Sequence, residues 1–229
     1  MIPRERLASA RIPGGGEMIL FRRGDDHMIL VDRDELMSSR MSGSEEALAL
    51  MTAQRLGKRP GQRWLIGGYG MGFTLRAALG VLPKDAVVTV AELVPEIVDW
   101  AKGPMAHMTG NSLDDPRTRI RIGDVADAIS DGSWDAILLD VDNGPDGLVR
   151  AGNDRLYSSA GLAAARAALS KGGILAIWSA APDPAFAKRL AAVRFHVDER
   201  IVRARQNGKG PRHVIWFATP ADSLQKRCR

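Results

Sequence analysis

Apolar and polar residues follow two different patterns along the chain. Near its start, apolar runs at residues 17–22 and 27–31 flank a polar, glycine-containing segment that is typical of a tight turn. This pattern predicts a short N-terminal β-hairpin. Further along, helical patterns alternate with short apolar runs rich in β-branched residues. We therefore expect a hairpin extension over residues 1–43 and one larger α/β domain over residues 44–229.

The larger part is predicted to form a mainly parallel sheet with helices on both faces. Short strands are expected at residues 64–66, 87–91, 118–122, 136–139 and 174–178, the first of them buried. Helices are expected at residues 44–56, 74–79, 95–100, 125–129, 159–169 and 184–192. Two last strands, at residues 195–202 and 213–218, flank a glycine-containing turn and predict a C-terminal antiparallel pair. Strands and helices in this order are typical of a Rossmann-like, doubly wound α/β fold.

Two of these boundaries have local signals. Ser44 stands where a helix N-cap is expected, and Glu45 and Glu46 follow it in the first turn, where carboxylates interact favourably with the helix dipole. The Lys-Gly-Gly segment at residues 171–173 is expected to close the alanine-rich helix that precedes it.

Composition and charge narrow the classes of protein to be considered. The chain has 229 residues, a net charge of +5 and a sequence pI near 9.7. Its basic residues are spread out, with a mild concentration at residues 194–212, so nucleic acid is the less favoured partner. No apolar run approaches the roughly 18 residues that cross a membrane, and we find no secretory signal. The only cysteine, Cys228, excludes an internal disulfide and a cysteine metal cluster, and it fits a cytoplasmic setting.

The residues that follow each strand are the candidates for a site, because parallel α/β sheets bind ligands at the carboxyl ends of their strands. The first parallel strand leads into a turn in which Gly68, Gly70 and Gly72 allow the backbone to approach a ligand closely. The spacing differs from the G-x-G-x-x-G pattern that seats a pyrophosphate. It favours a nucleoside without phosphate, such as a sulfonium nucleoside; a plain glycine turn is the alternative.

Carboxylates follow the next two strands. Glu92 ends the second strand, where a carboxylate can accept hydrogen bonds from both ribose hydroxyls. Asp124 follows the third strand, where it can accept a hydrogen bond from an adenine amino group, cap the next helix, or do both. The four histidines are scattered without the spacing of metal ligands, so no metal is expected.

Several short motifs occur together between residues 63 and 178, a segment that covers over half of the chain. They are the glycine turn with its following Leu-Arg at 75–76, Val-Ala-Glu-Leu-Val-Pro-Glu at 90–96, Asp-Pro-Arg at 115–117, Gly-Asp at 123–124, Leu-Tyr-Ser at 156–158 and Lys-Gly-Gly at 171–173. In this combination the segment resembles the spermidine synthase family of the class I S-adenosylmethionine-dependent methyltransferase superfamily.

The resemblance implies a transferase that uses S-adenosylmethionine or its decarboxylated form. It implies that Glu92 holds the ribose and that Asp124 holds the adenine. The cofactor-binding residues expected from the resemblance and the glycine turn together are Gly68, Tyr69, Gly70, Gly72, Glu92, Leu93, Gly123, Asp124 and Asp140.

Departures from the family pattern concern the reaction. The family's glycine turn contains an aspartate that binds the aminopropyl ammonium of decarboxylated S-adenosylmethionine, whereas alignment on the following Leu-Arg places Met71 there. The sequence therefore predicts no strong preference for the decarboxylated form and favours methyl transfer. The family's tyrosine, glutamine and histidine for polyamine binding are not evident in residues 36–41.

The loop after the fourth strand supplies the catalytic candidates, Asp140 and Asp142. The family reads Asp-Ser-Ser-Asp-Pro at this loop, and the chain reads Asp-Val-Asp-Asn-Gly-Pro at residues 140–145. A carboxylate here can take the proton of an attacking amine while a sulfonium leaves as a neutral thioether. The alternative is a simple turn.

The leading hypothesis is a spermidine synthase-like transferase that moves a methyl or aminopropyl group to a small, polyamine-like amine. Two alternatives are a nucleoside-binding module that has lost catalysis and a nucleic-acid methyltransferase. A homodimer is considered as its assembly.

Overall fold

A computed structural model of the chain describes residues 2–141, 144 and 154–221. The strands are β1 (Glu5–Arg11), β2 (Glu17–Arg23), β3 (Asp26–Val31), β4 (Asp34–Ser38), β5 (Arg63–Gly67), β6 (Val87–Glu92), β7 (Thr118–Ile122), β8 (Trp134–Leu139), β9 (Leu169–Ser179), β10 (Phe195–Arg203) and β11 (Arg212–Pro220). The helices are α1 (Gly43–Leu56), α2 (Phe73–Val81), α3 (Pro95–Lys102), α4 (Ala106–Thr109), α5 (Val125–Ser130), α6 (Asp154–Tyr157), α7 (Ser159–Ala168) and α8 (Pro184–Ala192).

The larger sheet has seven strands in the order β10-β11-β9-β8-β5-β6-β7. Neighbours from β9 to β7 are parallel, and β11 pairs antiparallel with both β9 and β10. The Rossmann-like, mainly parallel sheet with a C-terminal antiparallel pair is therefore confirmed.

Two hydrophobic cores cover the faces of this sheet. Along β5, Trp64 and Ile66 contribute to one core and Leu65 to the other, because successive side chains of a strand point to opposite faces. The first core receives apolar residues of α1, α2 and α3, and the second receives those of α5, α7 and α8. A doubly wound sheet with helices on both faces results.

The N-terminal region is a four-stranded antiparallel sheet rather than a hairpin alone. The predicted hairpin is present as β2 and β3, and β1 and β4 extend it in the order β1-β2-β3-β4. The added strands were missed because β1 has only one buried residue, Ala10, and β4 is mostly polar or half-buried. The sheet packs on the α1 side of the large sheet, where Leu20 and Ile29 join the first core.

Two local predictions are wrong. Helix α1 begins at Gly43 with Ser42 as its N-cap, so Ser44 lies inside the first turn. Gly43 contacts a distant loop: its N–H donates to the Ala204 carbonyl at 2.8 Å, and a Cβ there would lie 2.7 Å from the Arg205 carbonyl carbon. Tertiary packing thus sets the start of α1.

The Lys-Gly-Gly segment at residues 171–173 does not end a helix. It lies inside β9, whose pairing with β8 shifts register between Trp134 and Ala136. The irregular start of β9 accommodates the two glycines without interrupting the strand. Among the described residues, no helix is long and apolar enough to span a membrane.

Candidate active site

A cavity of about 990 Å³, including its open mouth, lies at the carboxyl ends of the central strands. It opens beside β5, which has β8 on one side and β6 on the other, so the chain reverses its direction of travel across the sheet there. Such switch points are where open α/β sheets bind ligands. The predicted site residues in its lining are Gly68, Gly70, Glu92, Leu93, Gly123, Asp124 and Asp140.

Glycine is required at position 68 for two reasons. Its φ is +82°, and a Cβ would lie 2.6 Å from the Asp140 carbonyl oxygen. The Gly68 N–H donates to the Ala91 carbonyl at 2.9 Å, and the Asp140 N–H donates to the Gly67 carbonyl at 3.2 Å. The glycine turn is therefore in direct contact with the loop that follows β8.

Glu92 is held by the backbone on both sides of its carboxylate. Its Oε2 accepts the Tyr69 N–H and its Oε1 accepts the Val94 N–H, each at 2.8 Å. Burial raises the pKa of Glu92, and these backbone donors act in the opposite direction. A carboxylate oxygen has more than one lone pair, so both oxygens can still accept a bond from a diol.

Asp124 caps α5 and also lines the cavity. Its Oδ1 accepts the Ala126 N–H at 2.9 Å, and its Oδ2 lies 3.7 Å from the exposed Arg155 guanidinium. The capping role is confirmed. The predicted bond to an adenine amino group is compatible with it, because capping uses one of the two carboxylate oxygens.

Asp140 comes directly after β8, and its side chain is fixed from α2. The Thr74 hydroxyl donates to Asp140 Oδ2 at 2.6 Å. Burial raises the pKa of Asp140 to about 6, and the Thr74 hydrogen bond acts against this rise. A carboxyl held in this position can accept a proton in its ionised form.

Glu45, which the sequence reading assigned only to the helix dipole, is a second acid of the cavity. It is 6% exposed, and the Ser44 hydroxyl donates to its Oε2 at 2.6 Å. Burial and the charge of Asp140 raise the pKa of Glu45 to about 8. Local sequence gives no signal for this position, because only the packing of α1 against α2 brings Glu45 to the site.

The N-terminal sheet supplies one apolar wall of the cavity. Met18, Ile29, Leu36 and Met37 line it from β2, β3 and β4. A Cβ at Gly70 would lie 2.8 Å from the Met37 terminal methyl, so the glycine turn and β4 approach each other closely. The cavity is thus enclosed between the two sheets.

Three residues of the glycine turn lie outside this lining. Tyr69 gives its N–H to Glu92, while its buried hydroxyl lies 3.5 Å from Ser112 Oγ. Gly72 is the N-cap of α2. Met71 is fully buried in the first core. It is not among the residues that line the cavity.

Asp142, the second catalytic candidate, lies outside the described residues. Within the part of the chain that the structure describes, no group of three His, Cys, Asp or Glu side chains could hold a metal ion.

The strand order, the glycine turn after β5 and the carboxylates at the ends of β6 and β7 define a Rossmann-like fold with an acidic pocket at its switch point. Comparisons with known proteins identify individual proteins to which the chain is similar. The polyamine aminopropyltransferases of Mycobacterium tuberculosis and Mycobacterium bovis are 28% identical over 171 residues, which is 72% of this chain and 31% of theirs. The chain thus spans about a third of the length of these curated relatives.

Solved structures of spermidine synthases have the same fold. One is from Thermotoga maritima and another is in complex with the transition state analogue AdoDATO; each has a TM-score of 0.71 and 18% identity, and the match covers 96% of this chain and 74% of that one. No protein-family model matches the chain. The resemblance to the spermidine synthase family is confirmed by these similarities.

Proposed function

We propose that the chain is a spermidine synthase-like transferase that moves the aminopropyl group of decarboxylated S-adenosylmethionine to an amine. The observation that carries this proposal is that Asp140 shares one cavity with Glu92 and Asp124. A group able to accept a proton therefore lies in the same enclosed space as the two carboxylates expected to hold the nucleoside.

The similar proteins favour aminopropyl over methyl transfer. The curated relatives are named polyamine aminopropyltransferases and the structural neighbours are named spermidine synthases, and both names refer to polyamine synthesis. The sequence-based case for methyl transfer rested on Met71, which is buried in the core. Methyl transfer therefore becomes the second outcome of the test below.

Asp140 would accept the proton of the acceptor amine. The amine nitrogen attacks the carbon next to the sulfonium in line, the new C–N bond forms, and the C–S bond breaks with its electron pair going to sulfur. Methylthioadenosine leaves as a neutral thioether. Glu92 and Asp124 would keep the donor in place during this step, and the orientation of both reactants would supply much of the rate.

The test combines calorimetry with a turnover screen. Methylthioadenosine, S-adenosylmethionine and its decarboxylated form are titrated first, and then amines and RNA are offered as acceptors. We expect binding of methylthioadenosine and its release as a product when decarboxylated donor and an amine are present. Binding without turnover would favour the catalytically inactive module, and methylated amine or RNA would favour a methyltransferase.

A further inference from the structure

Glu45 reaches the cavity from α1, on the side opposite the carboxylates after β6 and β7. Its carboxyl is oriented by Ser44, whose Oγ also lies 2.8 Å from His213 Nδ1 on β11. The adjacent Thr74 hydroxyl bonds both the Glu45 carbonyl, at 3.3 Å, and Asp140 Oδ2. A hydrogen-bonded frame therefore holds the two acids beside each other.

This end of the cavity carries two acids, and none of the cations that the structure describes is paired with either of them. Among the described residues, no Lys, Arg or His nitrogen lies within 4.0 Å of a Glu45 or Asp140 carboxylate oxygen. Within the described part of the chain, the titratable groups that interact with Glu45 are Asp140, Glu46 and, through Ser44, His213. Two buried carboxyls of like charge retain a proton between them at neutral pH, and an arriving cation would favour their full ionisation.

The glycine turn itself offers no acid to such a cation. Gly70 lines the cavity without a side chain, and the Met71 side chain is in the core. The glycine turn therefore has no carboxylate that could bind the ammonium from its side of the cavity. Glu45 is the acid that enters the same cavity from α1.

We propose that Glu45 binds the ammonium of the aminopropyl group and so selects the decarboxylated donor over S-adenosylmethionine itself. S-adenosylmethionine carries a carboxylate that the decarboxylated donor lacks. This carboxylate would lie near Glu45 and Asp140 and be repelled by them. This inference rests on the proposed function, and it makes Glu45 a determinant of donor specificity while leaving the proton-accepting role with Asp140.

A merely structural role for Glu45 predicts something different. As a partner of Ser44 it would hold the start of α1, and its substitution would lower stability without changing ligand preference. Glu45→Gln separates the two roles because glutamine keeps the shape and can still accept the Ser44 hydrogen bond. Glu46→Gln is the matched control: Glu46 lies on the same turn but pairs with Arg76 and Gln206 outside the cavity lining.

The experiment measures the affinities of wild type, Glu45→Gln and Glu46→Gln for methylthioadenosine, S-adenosylmethionine and its decarboxylated form. We expect wild type and Glu46→Gln to prefer the decarboxylated donor by at least about tenfold, which is about 1.4 kcal/mol. Glu45→Gln should lose most of this preference and keep its affinity for methylthioadenosine, which has no ammonium and confirms a folded pocket.

Proton release gives a second readout. At about pH 7, wild type should release a proton on binding the decarboxylated donor, measured by calorimetry in buffers of different ionisation enthalpy, and Glu45→Gln should release much less. An unchanged preference in Glu45→Gln, with methylthioadenosine still bound, would overturn this inference alone. Failure of wild type to bind methylthioadenosine would overturn the proposed function as well.

Discussion

At the scale of single residues, Asp140 is where the proposed chemistry can be tested most directly. Asparagine is nearly isosteric and can still accept the Thr74 hydrogen bond, so Asp140→Asn should fold and bind methylthioadenosine almost normally. Turnover should fall by about 10²-fold or more, the usual effect of losing a positioned proton acceptor. Single-turnover rates, melting temperature and ligand affinity check this. Asp131→Asn, at an exposed residue paired with Arg121, is the control.

Near-normal turnover in Asp140→Asn would show that the proton goes elsewhere. A loss of activity that merely follows a loss of folded protein would indicate that Asp140 only shapes the loop. The two results are separated by the melting temperature.

Glu92 and Asp124 belong to the nucleoside end of the cavity. We expect Glu92→Ala and Asp124→Ala each to weaken methylthioadenosine binding by roughly tenfold or more, because a hydrogen bond to a charged group typically contributes about 1.5–3 kcal/mol. Asp124→Ala should also lower the melting temperature, since the cap of α5 is lost. Unchanged affinity in both folded variants would contradict the assignment of the pocket.

The site residues that the sequence predicted and those that it missed differ in what determines their position. Glu92, Asp124 and Asp140 lie at or just beyond the ends of strands, and the position of a strand end is set by local hydrophobic pattern. Glu45 reaches the site through helix packing, and the direction of the Met71 side chain depends on the path of the turn. Neither of these is visible in a local pattern.

At the scale of elements, the same distinction explains which strands and helices were found. The central strands β5, β6 and β8 were predicted well because they are mostly buried and apolar, and β7 was predicted from its alternation of β-branched residues with arginine. Strands β1 and β4 were missed because few of their residues are buried. Pairing with neighbours, rather than composition, makes these segments strands.

The N-terminal sheet shares its core with α1, α2 and α3, so its packing should contribute to the stability of the whole chain. Leu20→Ala removes a fully buried side chain of β2 and should lower the free energy of unfolding by about 2–5 kcal/mol. Leu50→Ala, at a residue of α1 that is 44% exposed, should cost far less. Urea unfolding followed by circular dichroism measures both.

The same experiment tests the division between residues 43 and 44, which stays a prediction. A shared core leads us to expect one unfolding transition for both variants. A separate early transition in Leu20→Ala would show that the N-terminal sheet unfolds independently.

At the scale of the whole molecule, the buried acids make stability depend on pH. Folding raises the pKa of Glu45 to about 8, so the folded state keeps a proton that the unfolded chain has lost. This stabilisation is present at low pH and is lost as pH rises through the folded pKa. The melting temperature of the ligand-free protein should therefore fall as pH rises from about 5 to about 8 and level off above that.

Glu45→Gln should reduce this fall, and scanning calorimetry over the pH series measures it. Burial lowers the pKa of His27 and His213, which has the opposite sign and opposes this fall below about pH 6.5, so the difference between wild type and Glu45→Gln isolates the contribution of Glu45. Parallel curves for wild type and Glu45→Gln would contradict the role of Glu45 in this pH dependence.

The enclosure of the cavity between two sheets has an evolutionary consequence. The carboxylates expected to hold the nucleoside come from residues after 67, whereas the apolar wall facing the glycine turn comes from residues before 38. Mutations in the early stretch can reshape this wall without replacing Glu92 or Asp124. On the proposed function, the lineage could explore new acceptors through substitutions at a few apolar positions, whereas substitutions at Met37 would also disturb the glycine turn that it contacts at Gly70.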